Sequence, residues 1–264
     1  MSRPLVPLAR PLVVSGLELH FPVQLSFRSF AALFVPVPRH VVAPLLPAPL
    51  RPVPGGRRGG SLVVNWVAWE RTPVGPFDEV TLWAPIYVGR GSPLPGLAVL
   101  LHGRAGRTDV VGDLAYTPLW SLVDREEAAV FRRELWHVPA RATSVRIRSD
   151  GDRHLAQVQH GGDTILRAQT GAAGMRLRTG RIALPVRGRH EGVGWSDHGD
   201  LHADAVVRRW RRAGTAEVYA GGPIVEFAVM LGASDTEPLR ARAFASLVAT
   251  DGAVRFAGPR PADS

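Results

Sequence analysis

Polar and apolar residues alternate along several stretches of the chain, which is the pattern of strands with one buried face. Alternation begins at residues 17–27, and a second short apolar run covers residues 31–37. The strongest strand patterns are residues 61–70 and 78–88, which the turn-forming sequence RTPVGPF separates. Residues 113–123 return to the same character. The first half of the chain is therefore predicted to form mostly strands.

The second half consists of short runs, often alternating, with turns at regular intervals. The runs that we interpret as strands are TSVRIRS, HLAQVQH, DTILRAQT, MRLRTGRIALPV, AVVRRW, AEVYA, IVEFAVML, RARAFASLVA and AVRF. Many short strands at this spacing are typical of an antiparallel sandwich or barrel.

Two segments carry helix signals. The sequence RHVVAPLL follows Pro38, which suits a first helical turn, and Pro44 keeps the helix short. Asp124 and Glu127 have the spacing of a capping box in front of EEAAVFRRELW. This second helix is predicted to end near residues 133–135, because the residue before Pro139 avoids the helical conformation. The predicted fold class is therefore mainly β, with a few short helices.

Length and composition fit a single domain over residues 1–264, with a proline-rich arm at 1–11 and a loose tail at 259–264. The hydrophobic content of 45% is ample for a packed core. Cysteine is absent, which excludes disulfides and fits a reducing cytoplasm. No uninterrupted run of about 18 apolar residues occurs, so we predict a cytoplasmic protein without a membrane partner.

All 32 basic residues are arginine, because the sequence contains no lysine. Amine catalysis requires an ammonium group that can lose its proton near neutral pH, and a guanidinium stays protonated. The net charge of +9 alone would suit a polyanionic partner. The arginines are scattered, however, and the densest cluster is the short sequence RRWRR, so we expect no nucleic-acid partner.

Three segments resemble the acetoacetate decarboxylase-like family. DREEAAVFRRELWHVPAR, at 124–141, resembles the family signature, in which a short helix runs into Arg-Glu-Leu-x-Gly-x-Pro-Lys-Lys. VGPFDEV, at 74–80, resembles its Gly-Pro-Tyr-x-Glu segment, and VVAPLLPAPLRP, at 41–52, resembles its early Leu-Pro-x-Pro-Leu helix. The resemblance implies an antiparallel β-barrel or cone with a substrate cavity inside, the signature helix at its mouth, and a homo-oligomer.

The same resemblance excludes the family's best-known reaction. The lysine that forms a Schiff base with a ketone substrate in the family is replaced by Ala140, and the lysine after it by Arg141. The glycine of the signature is His137, and Pro36 stands where the family has an arginine that helps bind the substrate carboxylate. We therefore predict that the chain is not a Schiff-base decarboxylase.

The altered site retains groups suited to acid–base chemistry. The resemblance places Glu79 at the cavity, where it could act as a general acid or base. Arg141 could bind a carboxylate or stabilise an enolate oxygen, and His137 could transfer protons near neutral pH. Each of the three also has a structural interpretation, as an ion-pair partner, a loop anchor or a surface residue. The predicted substrate-binding residues are Phe77, Trp83, Arg133, Trp136 and Ala140.

The sequence DHGDLHAD is the only candidate that we consider for a metal site. His198, Asp200 and His202 alternate, so an extended strand would place them on one face. Alternate residues on a strand lie about 7 Å apart, so at most two neighbours would normally chelate one ion. A polar hairpin or interface strand is the favoured interpretation, and we expect neither a metal nor a cofactor.

Two functions fit these observations. The first is an enzyme of lyase or isomerase type that acts without lysine on an apolar, oxygenated small molecule such as a polyketide or an enone. Acid–base chemistry or a shape-selecting cavity would drive cyclisation, dehydration or isomerisation, in secondary metabolism. The alternative is a barrel without catalytic activity that binds a small ligand as a carrier or a sensor.

Overall fold

Strands dominate the computed structural model, which describes residues 11–46, 48, 50–53, 59–87, 114–150, 153–171, 175–177, 182–190, 193–203, 205–209, 213–230, 233 and 237–261. The predicted arm, apart from residue 11, lies outside these residues. In chain order the strands are β1 (Leu12–Val14), β2 (Leu17–Leu19), β3 (Val23–Pro38), β4 (Arg51–Pro52), β5 (Gly59–Arg71), β6 (Phe77–Tyr87), β7 (Leu114–Val123), β8 (Ala140–Ala142), β9 (Ser144–Asp150), β10 (Arg153–His160), β11 (Asp163–Thr170), β12 (Met175–Leu177), β13 (Ile182–His190), β14 (Val193–His202), β15 (Ala205–Arg209), β16 (Gly214–Val218), β17 (Leu239–Arg242), β18 (Ala245–Phe256) and β19 (Arg260–Pro261). The helices are α1 (Arg39–Val42), α2 (Glu126–Trp136) and α3 (Val225–Met230), with 3₁₀ turns at Ala43–Leu45 and Gly222–Ile224.

Strands of the larger sheet form a nearly closed barrel in the order β18, β3, β5, β6, β7, β13 and β14. β14 pairs with β18 from Gly199 to His202 and so returns the sheet to its first strand. The neighbouring barrel strands with the fewest paired residues are β7 and β13, which are parallel. Tyr116 pairs with Val186 there. The predicted barrel is confirmed, with one correction: β8 also pairs in parallel with β7, so the strands are mixed and not all antiparallel.

A second sheet, in the order β17, β16, β11, β10 and β9, packs against the outside of the barrel and creates a second core. The alternation along β6 shows how one strand serves both cores. Val80 and Leu82 pack in the outer core, between the two sheets. Phe77 and Trp83 pack in the interior core, on the opposite face of β6. The position of a residue along the strand therefore determines which core its side chain enters.

The long strand β3 differs from the two runs predicted at 17–27 and 31–37. Residues 17–19 form the separate strand β2, and residues 23–38 form one continuous strand. Irregular register between Ser26 and Ser29 lets β3 stay paired with β5 across the polar residues that interrupt the pattern. The stretch 30–35 is buried because both faces of this strand are covered.

Helix α2 is confirmed, but its predicted capping box is wrong. The N-cap is Arg125, without a side-chain cap hydrogen bond, and the helix begins at Glu126. The backbone N–H of Asp124 donates to the carbonyl oxygen of Asp78 at 3.1 Å, so Asp124 still extends the pairing of β6. The helix ends at Trp136, and the left-handed conformation of the next residue, His137 (φ 50°), terminates it.

The N-terminal hairpin of β1 and β2 packs against this helix. Its two turn residues, Ser15 and Gly16, both have positive φ, as a two-residue hairpin turn with a type I′ backbone requires. The backbone N–H and the hydroxyl of Ser15 donate to the carboxylate of Glu134, the glutamate of the signature. No helix in the described part of the chain has both the length and the apolar character needed to cross a bilayer.

Two predictions for the C-terminal part are wrong. IVEFAVML forms no strand: its described residues lie in the 3₁₀ turn Gly222–Ile224 and in α3. Pro223 favours this helical start, and a short apolar run does not distinguish a strand from a helix. The tail predicted to be loose begins with β19, which pairs with Trp195 and Ser196 of β14, while residues 262–264 lie outside the described residues.

Candidate active site

Glu79 lies in the middle of the barrel wall, on β6 between β5 and β7. Its side chain is 2% exposed. One carboxylate oxygen, Oε1, accepts a hydrogen bond of 2.7 Å from Ser121 Oγ. The other, Oε2, accepts one of 2.8 Å from Trp69 Nε1 and one from Arg132 Nη2. Three donors from three different elements therefore hold this carboxylate inside the barrel.

Arg132 enters the interior from α2 and forms a buried ion pair with Glu79. Its side chain is 8% exposed, although Arg133 beside it is half-buried and points elsewhere. A buried charge is costly unless a partner of opposite sign accompanies it, and each member of this pair supplies that partner for the other.

Three aromatic rings surround the guanidinium of Arg132. The distance from its central carbon to the ring centroid is 4.5 Å for Trp136, 5.4 Å for Trp69 and 5.8 Å for Phe77. These distances allow cation–π attraction, which is stronger in a site without water. The rings fix the position of the guanidinium and give the surroundings of the ion pair an apolar character.

Asp197 of β14 holds the nearest of these rings. Its Oδ2 accepts a hydrogen bond of 2.9 Å from Trp136 Nε1, and its Oδ1 accepts one of 3.0 Å from the backbone N–H of Gly258. The interaction ties the last residue of α2 to the far side of the barrel. We call these connected residues the interior cluster: Trp69, Phe77, Glu79, Ser121, Arg132, Trp136 and Asp197.

Two buried nitrogen atoms on the interior side have no hydrogen-bond partner among the described residues. They are Arg132 Nε and Trp83 Nε1. Trp83 is on β6, four residues beyond Glu79, and packs against the interior core. Tyr116 of β7 packs in the same core, and burial raises the pKa of its phenol above 10, so it stays uncharged. The interior thus combines one ion pair with unpaired N–H donors.

Ala140, which the sequence resemblance aligns with an imine-forming lysine, lies beside the cluster. It is 2% exposed and pairs with Ser121 in the parallel ladder of β7 and β8. Its carbonyl oxygen accepts a hydrogen bond of 2.8 Å from Arg133 Nη1, while Arg133 Nη2 binds Glu126 at the same distance. Arg133 therefore anchors the loop between α2 and β8.

The structure does not bring Arg141 or His137 to Glu79. Arg141 is exposed and pairs with Leu122, whose side chain packs in the outer core. Because successive strand residues face opposite sides, Arg141 lies on the other face of β8 from Ala140. His137 is exposed at the end of α2. The cation beside Glu79 is Arg132, in the place where the sequence predicts Arg141.

The predicted substrate-binding residues divide into those that face the interior core and those at the loop after α2. Phe77 and Trp136 are members of the interior cluster, in contact with Arg132. Trp83 lies farther along the same wall and contributes an unpaired donor. Arg133 and Ala140 lie at the loop that follows α2. The predicted residues on β6 and at the end of α2 therefore converge on the interior.

The residues considered for a metal site are on β14, which is extended as predicted. Asp200 is buried and His202 is exposed, and the side chain of His198 lies outside what the structure describes. Among the described residues no three ligand side chains are grouped as a metal ion would require.

The sequence prediction omits four members of the interior cluster, namely Trp69, Ser121, Arg132 and Asp197. A signal for Arg132 is present in the sequence, because it precedes Leu135 by three positions and Trp136 by four, which places it on the apolar face of α2. Alternation places Trp69 and Ser121 in strands, but it does not reveal which strands are neighbours.

Comparison with known proteins agrees with this fold. A sequence profile of the family described as acetoacetate decarboxylase (ADC) matches residues 11–183. The sequence matches no curated protein.

Among solved structures, the acetoacetate decarboxylase from Legionella pneumophila is 14% identical, with a TM-score of 0.53, and the match covers 88% of this chain and 86% of that one. The enduracididine biosynthesis enzyme MppR, in complex with the condensation product of pyruvate and imidazole 4-carboxaldehyde, is 11% identical, with a TM-score of 0.57 and coverages of 91% and 89%. An acetoacetate decarboxylase-like enzyme from Sphingomonas wittichii RW1 is 15% identical, with a TM-score of 0.52 and coverages of 92% and 94%. At these identities the likeness shows a common fold.

Proposed function

This chain belongs to the acetoacetate decarboxylase family, and we propose that it is an enzyme of lyase or isomerase type that works without a lysine imine. Its substrate would be an apolar, oxygenated small molecule, polyketide-like or an enone. The reaction would be a cyclisation, dehydration or isomerisation. Two sequence facts support lysine-independent chemistry: Ala140 occupies the amine position, and the chain contains no lysine that could replace it.

The observation that carries the proposal is the ion pair of Glu79 and Arg132 within the interior core. A fixed guanidinium stabilises negative charge that develops on a carbonyl oxygen when a neighbouring carbon loses a proton. A carboxylate at the same place takes that proton and returns it to another carbon, which is an isomerisation. If the substrate carries a β-hydroxyl group, the protonated Glu79 returns the proton to that hydroxyl oxygen while the enolate expels it, so the C–O bond breaks, water leaves and the reaction is a dehydration.

The aromatic side chains around the ion pair support a contribution to catalysis from the shape of the interior. Trp69, Phe77 and Trp136 present large, fixed rings around the charged pair. A rigid apolar wall holds a flexible chain in one folded conformer and so lowers the entropic barrier to ring closure. Cyclisation would draw on this effect more than on proton transfer.

One observation favours the alternative, a ligand-binding barrel that serves as a carrier or a sensor. Glu79 already accepts hydrogen bonds from Trp69, Ser121 and Arg132, as a structural carboxylate would. In that case a ligand would raise the thermal stability of the protein without being converted.

The test is an isomerisation and dehydration assay. Purified protein would be incubated with cyclohex-3-enone and with 4-hydroxy-2-pentanone, and the conjugated product would be followed by ultraviolet absorbance and mass spectrometry. We expect turnover by the wild type and a decrease in kcat of about 10²–10⁴-fold for Glu79→Gln. The matched control is Glu127→Gln, because Glu127 is an exposed carboxylate on α2 that pairs with Arg125.

Two outcomes would contradict an enzymatic role for this cluster. Equal rates for the wild type and Glu79→Gln would remove Glu79 from the chemistry. Stabilisation by the probes, with no product from either one, would favour the carrier or sensor.

A further inference from the structure

We propose that the interior of the barrel selects neutral carbonyl compounds over carboxylates, with Arg132 Nε and Trp83 Nε1 as the hydrogen-bond donors. This inference rests on the proposed function, because it names the class of substrate for the same site. It is separable from that function, since binding can be measured without turnover.

The unpaired atoms of the interior indicate what a ligand must offer. Arg132 Nε and Trp83 Nε1 are buried, and both are donors without a partner among the described residues. A buried donor without an acceptor costs free energy, and a bound oxygen atom would remove that cost. Neither nitrogen can accept a hydrogen bond, so the matching ligand groups are acceptors such as carbonyl oxygens.

The charges of the interior argue against a second carboxylate. The guanidinium of Arg132 already has Glu79 as its counterion. An anionic ligand would place two carboxylates on one guanidinium in a site with little water, where repulsion between like charges is strong. The carboxylate of Asp197 lies just behind the Trp136 ring and adds a third acidic group nearby. A neutral carbonyl needs only the donors and avoids this repulsion.

The sequence of β3 agrees with the loss of carboxylate binding. Pro36 stands where the resembled family has its carboxylate-binding arginine, and it pairs with Ser61 of β5. The cation described beside Glu79 is on α2 instead, and Glu79 already neutralises it.

The positions of the two donors suggest an elongated ligand. Arg132 contacts Glu79, and Trp83 is four residues farther along β6, so the backbones of Glu79 and Trp83 are separated by about 13 Å of strand. A ligand that uses both donors therefore carries at least two oxygens along an extended chain.

The test compares two probes of nearly equal shape, acetylacetone, which is neutral at pH 7, and acetoacetate, which is an anion. Calorimetric titration of the wild type should give a Kd for acetylacetone at least about tenfold lower than that for acetoacetate. Glu79→Gln retains the shape of the side chain and leaves the charge of Arg132 without a counterion. In this variant we expect the affinity for acetoacetate to rise by about tenfold or more, so that the preference for acetylacetone is lost.

A second pair of variants tests the donors with undecane-2,10-dione, a longer neutral probe whose two carbonyl groups are separated by seven methylene groups. Trp83→Phe should raise its Kd by about threefold to tenfold, the loss expected for one hydrogen bond. The matched control is Trp66→Phe, because Trp66 Nε1 is also buried and unpaired among the described residues but lies in the outer core. This control should bind the probe as the wild type does.

Three results would overturn the inference. They are equal or tighter binding of acetoacetate by the wild type, an unchanged preference in Glu79→Gln, and no binding of any probe below about 10 mM. Turnover with a preference for the acid would refute this inference but leave the proposed function standing. Selective binding of the neutral probes without any turnover would support this inference and refute the proposed enzymatic function.

Discussion

The two faces of the barrel sheet bury polar groups in different ways. On the interior face, Glu79 and Arg132 form a charged pair among aromatic rings. On the outer face, Ser29 Oγ lies 2.7 Å from His154 Nδ1, and Ser149 Oγ lies 3.1 Å from each of these two atoms. We call these three residues the outer cluster.

The polar groups of the outer face connect the barrel to the second sheet. Ser29 is on β3, whereas Ser149 and His154 are on β9 and β10. Asp78 of β6 makes a similar connection, because its Oδ2 accepts a hydrogen bond of 3.1 Å from the backbone N–H of Ile147 on β9. Each of these interactions fixes one sheet on the other.

The difference separates a polar cluster that holds two sheets together from the cluster that we propose as the functional site. In the outer cluster each hydroxyl contacts a polar atom of the other sheet, so the contacts stabilise the packing of the two sheets. The interior cluster joins a helix to the barrel wall with an ion pair that apolar residues could replace at little cost. An unpaired buried donor does not distinguish the two faces, because Trp66 Nε1 in the outer core is also unpaired within the described residues. The buried ion pair and the aromatic rings around it are what make the interior face the candidate site.

The largest expected effect is that of Glu79→Ala. This change leaves the guanidinium of Arg132 buried without its counterion, so the free energy of unfolding should fall by about 3–5 kcal/mol. Urea denaturation followed by circular dichroism measures it. The double variant Glu79→Leu/Arg132→Met should be less destabilised than Glu79→Ala. A loss below about 1 kcal/mol for Glu79→Ala would show that the pair is not buried as described.

Ser29→Ala should have a smaller effect, and on stability alone. Removal of this hydroxyl takes one partner from His154 in the outer cluster, so we expect a loss of about 1–2 kcal/mol in the free energy of unfolding. Turnover in the isomerisation assay should stay within about twofold of the wild type, because the outer cluster does not face the interior. A large decrease in kcat with unchanged stability would show that the outer cluster takes part in catalysis and would contradict its structural role.

Trp83→Phe should stabilise the ligand-free protein slightly. The substitution removes a buried N–H that has no acceptor among the described residues, so we expect a gain of about 1 kcal/mol in the free energy of unfolding. Thermal denaturation without ligand measures the gain. A loss of about 2 kcal/mol or more would contradict this prediction, because it would show that the packing of the indole ring outweighs the cost of its unpaired N–H.

The smallest effect concerns Asp78 and the pH dependence of stability. Burial, together with the nearby Asp124, raises the pKa of Asp78 above 3.8, while the hydrogen bond from Ile147 and the charge of Arg28 lower it. The folded protein therefore holds this proton more tightly than the unfolded chain does. The resulting stability is present below pH 3.8 and is lost as the pH rises through the raised pKa.

Asp78→Asn should remove this fall in stability. The difference in free energy of unfolding, variant minus wild type, should increase as the pH rises from about 3 to about 6 and then level off. A difference that decreases over that interval would mean that the folded state favours the ionised carboxylate. Turnover should not change, because Asp78 and Glu79 lie on opposite faces of β6.

The comparison of the two faces also shows what the sequence can predict. Alternation predicts the strand that carries Glu79, and the resemblance places Glu79 toward the interior. Phe77 belongs to the sequence predicted as a turn, whereas in the structure it begins β6. Pairing between distant strands is not encoded locally, so the contact of Ser29 with His154, which are 125 positions apart, cannot be predicted. Arg132 is hidden for another reason: an arginine beside Arg133 resembles a solvated pair until the helical spacing is counted.

The most direct test of the interior cluster as the functional centre is a crystal structure of the protein with acetylacetone. We expect a carbonyl oxygen of the ligand at about 2.7–3.2 Å from Arg132 Nε, with the ligand against the rings of Trp69 and Trp136. A ligand bound instead at Arg141 or His137, outside the barrel interior, would contradict the account.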